Sequence, residues 1–286
     1  MSDCSAKLSL GFSPCPNDTF IFHALIRGLT GRDCPGYAPE VLADVETLNG
    51  WALAAKLDVT KLSFHALGHV LDKYVLLMAG SALGRGCGPL LVAREKLAVE
   101  QLAGARVAIP GKLTTAAMLL SFFSPVPLTP VIMPFDRIMP SIVAGEVDAG
   151  VIIHESRFTF HQHGLQLVQD LGAWWEETTG FSIPLGGIVA RRSLGKELIS
   201  RIDACIRASV EYAFAEPRAS LAYIRQHAQE MDEAVVQEHI GLYVNNYSVD
   251  LGGEGIASVR EFLARGRAAG QFPAELAGLP LTSAEL

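Results

Sequence analysis

The sequence has few charged residues, no C-x-x-C cysteine pair and no excess of basic residues. Only 19% of its 286 residues are Asp, Glu, Lys or Arg, and acidic residues outnumber basic ones by 30 to 23. An acidic balance excludes the basic surface that nucleic-acid binding requires. It leaves open a small anionic ligand, because the charge inside a pocket need not follow the net charge. Half of the residues are hydrophobic, which excludes a disordered chain.

Features typical of export or membrane insertion are also missing. Residues 1–8 contain no apolar segment of a signal peptide, which predicts a cytoplasmic protein. The uncharged run at 113–135 contains four prolines that would break a spanning helix, so we expect no membrane partner. The number of cysteines is odd, which favours reduced thiols over a disulfide scaffold. The five cysteines are Cys4, Cys15, Cys34, Cys87 and Cys205.

Three motifs suggest a cofactor or metal site, but each lacks a residue that such a site requires. The glycine-rich stretch at 84–88 lacks the third glycine of a dinucleotide fingerprint. Gly111-Lys112 is followed by Leu113 rather than by the Ser or Thr of a phosphate-binding loop. His161-Gln162-His163 offers two metal ligands without a third at a suitable spacing. We therefore expect neither a cofactor nor a metal.

Short apolar runs alternate with helical patterns along the chain, which predicts a mostly parallel α/β fold. A second unit begins near residue 101, and a strand at 186–191 leads back to the first unit. The pattern predicts a larger lobe of residues 1–98 and 187–286 and a smaller lobe of residues 99–186. The cleft between two such lobes is the expected ligand site.

Polar residues follow several predicted strands at their carboxyl ends, where α/β sheets bind ligands. In the turn at 13–18, Asn17 or Asp18 is predicted to cap a helix over 19–27, and Thr114 or Thr115 is predicted to cap another. Helix starts of this kind attract anions. Each turn also fits a purely structural cap, and the hydroxyl and ammonium at 60–63 also fit a solvated strand end. Both interpretations stay open for each segment.

A predicted strand at 148–153 ends directly before His154. Imidazole exchanges a proton near neutral pH, so this position suits a general base. A hydrogen-bonded structural histidine fits the pattern equally well. Arg85 is a candidate for pairing with a substrate carboxylate, and a solvated loop arginine is the alternative. Trp174-Trp175 either walls a pocket for a flat ring or packs at a hinge.

These segments, taken in order, resemble the 1,4-dihydroxy-6-naphthoate synthase family of the futalosine route to menaquinone. The similarity covers about residues 8–192, and an ordered series of that length is more specific than any single motif. One departure is Lys112-Leu113, where relatives are expected to carry a more polar pair. The matching stretches are 10–20, 44–49, 60–63, 82–86, 114–116, 152–159 and 171–176.

The resemblance implies a two-lobed fold like that of type II periplasmic binding proteins, used here as a cytoplasmic enzyme. It implies a lyase that converts cyclic dehypoxanthinylfutalosine, an anionic small molecule, to 1,4-dihydroxy-6-naphthoate and dihydroxyacetone. By position, His154 matches the family's general base. Together with candidates from the residue pattern, the expected substrate-binding set is Lys61, Leu62, Ser63, Thr114, Thr115, Ala116, Asn17, Asp18 and Arg85.

Two other functions remain open at this point. A chorismate dehydratase of the same pathway would share the lobed architecture, although the stretches at 13–20 and 152–159 favour the synthase. A non-catalytic protein that captures an anionic solute is the alternative from another class. The sequence leaves open a homodimer, and it assigns no role to Cys15 or Cys87.

Overall fold

The computed structural model describes residues 7–31, 33–228 and 232–286 and confirms an α/β protein built on two sheets. The strands are β1 (Leu10–Phe12), β2 (Val41–Leu42), β3 (Val59–Ser63), β4 (Tyr74–Leu76), β5 (Ala82–Gly84), β6 (Leu90–Ala93), β7 (Arg106–Ile109), β8 (Thr129–Ile132), β9 (Ala149–Ile152), β10 (Gln166–Asp170) and β11 (Ile183–Arg191). The helices are α1 (Pro16–Ile26), α2 (Val45–Leu53), α3 (Phe64–Leu67), α4 (Thr115–Phe123), α5 (Phe135–Ala144), α6 (Ser156–Thr159), α7 (Leu171–Thr179), α8 (Lys196–Ala215), α9 (Leu221–His227), α10 (Glu233–Tyr243), α11 (Asn246–Val249) and α12 (Gly252–Ala268).

The first sheet has the strand order β2-β1-β3-β11-β4, and β5 also pairs with β11. β1 runs parallel to β2 and β3, whereas β11 runs antiparallel to its partners. β1 and β3 are buried at every position because helices cover the sheet. Phe12 stacks on Phe22 of α1, with ring centroids 4.2 Å apart, and Ile202 and Ile206 of α8 belong to the same core. This sheet and the helices packed on it form the first lobe.

The second sheet has the order β10-β6-β9-β7-β8 and, with α4 to α7, forms the second lobe. Ile138 and Ile142 of α5 pack with Val92 and Ala108 of the sheet. β6 pairs antiparallel with β9 and β10, so the second sheet starts before the predicted boundary at residues 98–99. The apolar run of β6 shows that a strand exists, but it does not show which sheet the strand joins.

The chain crosses between the sheets twice, from β5 to β6 and from α7 to β11. A core cluster that includes Leu119, Trp175 and Phe262 spans the junction, and the Trp175 and Phe262 rings lie 5.6 Å apart. Packing of this kind fixes the two lobes around the space between them. Among the described helices, none combines the length and the apolar character that a membrane span requires.

The two predicted helix caps have opposite outcomes. Thr114 caps α4 as predicted, with its Oγ1 accepting from the Ala117 amide at 3.2 Å. The prediction that Asn17 or Asp18 caps α1 was wrong, because the helix begins earlier and its N-cap position is Cys15, which makes no side-chain cap. The Asp18 carboxylate is used in a tertiary contact instead.

The expectation of reduced cysteines was wrong for one pair. Cys34 and Cys205 form a disulfide across 171 residues of sequence, because the loop after α1 lies against α8. A bond that closes so long a loop restricts the unfolded chain and typically stabilises a fold by about 2–4 kcal/mol. Cys15 and Cys87 are free and buried. Spacing alone carries no information about which distant cysteines meet.

Candidate active site

A cavity of about 100 Å³ lies between the two lobes. Every predicted site residue except Arg85 lines it. Its polar lining consists of Ser13, Asn17, Asp18, Lys61, Ser63, Thr114, Thr115, His154 and Tyr243. Its other lining residues are Val45, Leu62, Ala82, Cys87, Pro89, Ala116, Ile153, Leu185 and Gly186. The carboxyl end of β3, the start of α4 and the segment after β9 that contains His154 therefore converge on one space.

Arg85 lies outside this lining. β5 ends at Gly84, and the next residue turns away to the surface, where half of the Arg85 side chain is exposed. Its guanidinium donates to the Gly180 carbonyl at 2.7 Å and lies 3.8 Å from the Glu176 carboxylate. These contacts describe a loop arginine that holds the end of α7.

Lys61 and Asp18 form a buried ion pair at the base of the cavity. The Lys61 Nζ lies 3.0 Å from Asp18 Oδ1 and also donates to the Gly80 carbonyl at 3.0 Å. The second Asp18 oxygen accepts from the Ser13 hydroxyl at 2.8 Å and from the Ser13 amide at 3.2 Å. The ammonium charge is therefore balanced inside the protein, and one of its three hydrogens remains for a ligand.

Ser63 presents a free hydroxyl hydrogen to the cavity. Asn49 fixes this residue from behind, since its Oδ1 accepts from the Ser63 amide at 2.9 Å and its Nδ2 donates to the Ser63 Oγ at 3.2 Å. With the oxygen used as an acceptor, the hydroxyl hydrogen can be donated elsewhere. Ser63 is thus a preorganised donor at the end of β3.

The start of α4 supplies backbone donors to the same space. The first amides of a helix lack intrahelical acceptors, and this applies to those of Thr115 and Ala116. The hydroxyls are already engaged, since Thr115 Oγ1 donates to the Leu185 carbonyl at 2.7 Å and Thr114 Oγ1 donates to the Gly111 carbonyl at 3.0 Å. An anion at this point would meet backbone N–H groups and the positive end of the helix dipole.

Glu46 ties the two lobes together at the edge of the cavity. Its carboxylate, on α2, accepts from the amide of Lys112 at 2.6 Å and from that of Leu113 at 3.1 Å, in the turn before α4. Gly111 lets this turn approach, because a Cβ at that position would lie 2.5 Å from the Glu46 carboxylate. Asn49 adds a bond to the Leu113 carbonyl at 3.2 Å. The Glu46 carboxylate and the two backbone amides therefore contribute charged hydrogen bonds to the closed arrangement of the lobes.

His154 follows β9 in a left-handed backbone conformation, with φ of 57°. Such a conformation is uncommon for a residue other than glycine and often marks a functional position. Its Nε2 lies 3.9 Å from the Cys15 Sγ of the first lobe. The Phe135 ring meets it edge-on at 5.0 Å, and the His239 ring lies parallel to it at 6.0 Å. The turn therefore aims the imidazole across the cleft.

Burial lowers the pKa of His154 below its ordinary 6.5, and the nearby Lys61 charge acts in the same direction. The Glu155 and Asp18 carboxylates oppose this shift. The imidazole is therefore neutral near pH 7 and able to accept a proton.

The two free thiols near the site stay protonated. Burial raises the pKa of Cys15, and the Glu155 charge adds to this effect. Burial also raises the pKa of Cys87 to about 12. A thiolate nucleophile is therefore not available at neutral pH.

Sequence reasoning missed several residues at the site, of which Tyr243 and Gly186 line the cavity and Cys15 lies beside His154. Cys15 stands in the turn at 13–18, but a buried thiol facing an imidazole has no sequence signal. Tyr243 lies in α10, within the helical tail, where no strand end marks a site. Gly186 lets β11 pass close to β3, because a Cβ there would meet the Leu62 carbonyl at 2.8 Å. Of these three residues, only Gly186 has a sequence signal, a Gly-Gly pair at the start of the predicted strand 186–191.

Among the described residues, no three His, Cys, Asp or Glu side chains are grouped so that they could hold a metal ion. His161 and His163 lie exposed in the short turn after α6.

The chain matches known proteins over most of its length. A family model described as menaquinone biosynthesis matches residues 8–268. A 1,4-dihydroxy-6-naphthoate synthase of Thermus thermophilus is 52% identical over 263 residues, covering 92% of this chain and 95% of the relative. A protein of the same name from Streptomyces coelicolor is 47% identical over 275 residues, covering 93% and 95%.

Solved structures agree with this similarity. A protein from Archaeoglobus fulgidus is 33% identical with a TM-score of 0.87, covering 93% of this chain and 99% of that one. The alkanesulfonate-binding protein of Xanthomonas axonopodis has a TM-score of 0.69 at 13% identity, covering 95% and 96%, which shows a shared periplasmic-binding-protein fold. The chain belongs to the 1,4-dihydroxy-6-naphthoate synthase family of menaquinone biosynthesis.

Proposed function

We propose that this protein is a lyase that converts cyclic dehypoxanthinylfutalosine to 1,4-dihydroxy-6-naphthoate and dihydroxyacetone, with His154 as the general base. The two relatives of 52% and 47% identity carry the name of this synthase. The observation that carries the assignment is a neutral, half-buried imidazole directed into a cavity that also presents groups suited to an anion.

The residues have separable roles in this reaction. The substrate carboxylate is held by the Ser63 hydroxyl and by the amides of Thr115 and Ala116, with the remaining hydrogen of Lys61 nearby. His154 accepts a proton from the substrate, and the carbon–carbon bond then breaks as the ring becomes aromatic. The imidazolium returns the proton to the products. Closure of the lobes excludes water from these steps.

The direct test is incubation of the purified protein with cyclic dehypoxanthinylfutalosine and, separately, with chorismate. We expect the naphthoate chromophore to appear only with the first substrate. Loss of chorismate would favour the dehydratase instead. Tight binding of either compound without turnover would favour a solute-binding protein.

The pH dependence follows from the direction of the His154 shift. Only the neutral imidazole accepts a proton, and burial places its pKa below 6.5. We therefore expect kcat/KM to be constant at neutral pH and to fall on acidification, with the midpoint of the acid limb below pH 6.5. A midpoint above pH 6.5 would contradict the proposed environment of the base. The measurement is a kcat/KM profile in buffers of constant ionic strength.

Replacing Glu46 with alanine removes the carboxylate that joins the lobes. Hydrogen bonds to charged groups contribute about 1.5–3 kcal/mol, so we expect KM to rise about tenfold or more. We expect kcat to change less, because Glu46 does not line the cavity. Steady-state kinetics check this, with Glu261→Ala as control, since Glu261 pairs with Arg265 on the same helix, α12, away from the cleft. Equal KM values for the two variants would contradict a closing role.

A further inference from the structure

Glu155 and His239 form a buried polar contact beside the cavity. The proposed reaction does not use this contact. Glu155 directly follows His154 in the second lobe, whereas His239 lies on α10, which packs against α1 and β5 of the first lobe. The His239 Nδ1 lies 3.9 Å from the Glu155 Oε2. Among the described residues, neither atom has a hydrogen-bond partner, although both are shielded from solvent.

Hydrogen bonds on the far side of the ring fix which nitrogen of His239 carries a hydrogen. Asn17 Nδ2 donates to the Asp18 carboxylate at 3.0 Å, so the Asn17 Oδ1 must be the atom that faces His239. This oxygen can only accept, and it lies 3.0 Å from the His239 Nε2. The Nε2 atom is therefore the donor, and in a neutral ring the Nδ1 atom is a bare acceptor.

Two acceptors consequently face each other inside the protein. Burial lowers the pKa of His239 well below its ordinary value, which leaves the ring without a second hydrogen of its own. An ionised Glu155 carboxylate also only accepts. Buried polar atoms without partners are costly, about 1–3 kcal/mol each. A single proton placed between the two atoms satisfies both of them.

We propose that Glu155 and His239 bind one proton between them, and that this shared proton forms a hydrogen bond between the two lobes behind His154. The hydrogen bond requires the two atoms, which lie 3.9 Å apart, to approach to about 2.7–3.2 Å. The catalytic consequence rests on the proposed function, whereas the proton itself does not. Both residues are positioning residues, since neither lines the cavity.

The surroundings of the pair determine its effect. The rings of His154 and Tyr243 flank His239 at 6.0 Å and 4.7 Å. The Glu155 charge influences the pKa values of His154, Cys15 and Tyr243. The charges of Asp18 and Lys61 also influence the pKa of His154. A proton on the pair cancels the Glu155 charge, which otherwise raises the pKa of His154. With that charge cancelled, burial lowers the pKa of His154 further, while the shared proton holds the lobes together.

The first test reads the proton without any turnover. In protein labelled with ¹⁵N-histidine, we expect the His239 Nδ1 resonance at pH 7 to show a hydrogen-bonded nitrogen. In Glu155→Gln it should remain hydrogen-bonded, because the amide donates to it. In Glu155→Leu it should become a bare ring nitrogen. A bare Nδ1 in the wild-type protein, or the same resonance in wild type and Glu155→Leu, would overturn the proposal.

The second test reads lobe closure through KM. We expect the wild-type KM to rise at alkaline pH as the shared proton is lost, and the KM of Glu155→Gln to stay constant because an amide does not titrate. Glu155→Leu should show a KM raised at every pH. Glu261→Gln on α12 is the matched control and should follow the wild type. Parallel KM profiles for wild type and Glu155→Gln would contradict the proposal. If no turnover is seen at all, the proposed function is wrong. The resonance test still shows whether Glu155 and His239 share a proton.

Discussion

Replacing His154 with asparagine is expected to lower kcat by about 10²–10⁴-fold, the usual contribution of a general base. Asparagine suits the test because it tolerates the left-handed backbone at this position, where φ is 57°. The fold and the substrate-binding groups should therefore persist. The measurement is steady-state formation of the naphthoate chromophore, combined with calorimetric binding of the substrate.

We expect the His154→Asn variant to bind substrate with an affinity close to that of the wild type. Loss of binding and turnover together would show a binding role for the imidazole rather than proton transfer. Turnover at the wild-type rate would contradict the base assignment outright. Cys15→Ser provides a comparison, because it changes the atom that lies 3.9 Å from the His154 Nε2 and leaves the imidazole in place.

Replacing Asp18 with asparagine is expected to destabilise the protein by about 3–5 kcal/mol, the cost of leaving a buried charge without its partner. Lys61 has only 6% of its side chain exposed, so little solvent is available to replace the lost carboxylate. The hydrogen bonds from Ser13 to Asp18 are weakened at the same time. The free energy of unfolding in urea measures the loss.

A double variant separates the ion pair from general packing. Asp18→Asn combined with Lys61→Met removes both charges, so we expect it to lose less free energy than the sum of the single variants. Glu261→Gln is the control for a partly exposed pair and should cost at most about 0.5 kcal/mol. A loss of that small size for Asp18→Asn would show that the Lys61 charge is solvated.

The parts of the site that depend on local pattern could be predicted from the sequence. An apolar run before His154 predicted β9 and the imidazole at its end. Thr114 at a helix start predicted the cap of α4. In both cases a few neighbouring residues carry the whole signal, because hydrophobic alternation and capping act within one or two turns.

The parts that depend on tertiary register could not be predicted. Asp18 is a residue type that often caps helices, yet its carboxylate pairs with Lys61, 43 positions away in the sequence. The Cys34–Cys205 disulfide joins residues 171 positions apart. His239 lies beside the site on a helical tail in which no spacing distinguishes it from a core histidine. Contacts between distant segments follow from the packing of α1, α8 and α10, which the local pattern does not specify.

The Arg85 hypothesis shows a related limit. A guanidinium after a strand end is a reasonable anion partner, but the direction of the turn decides whether it faces the cavity or the solvent. In this fold the donors suited to an anion are a serine hydroxyl and backbone amides, and amides of the main chain leave no residue type to recognise.

The most direct test of the central claim is a crystal structure of the His154→Asn variant with cyclic dehypoxanthinylfutalosine bound. We predict that the ligand fills the cavity, with its carboxylate on the Ser63 hydroxyl and the amides of Thr115 and Ala116, and with its reacting carbons facing the side chain at position 154. A ligand that binds elsewhere, or that turns its reacting carbons away from position 154, would contradict the account.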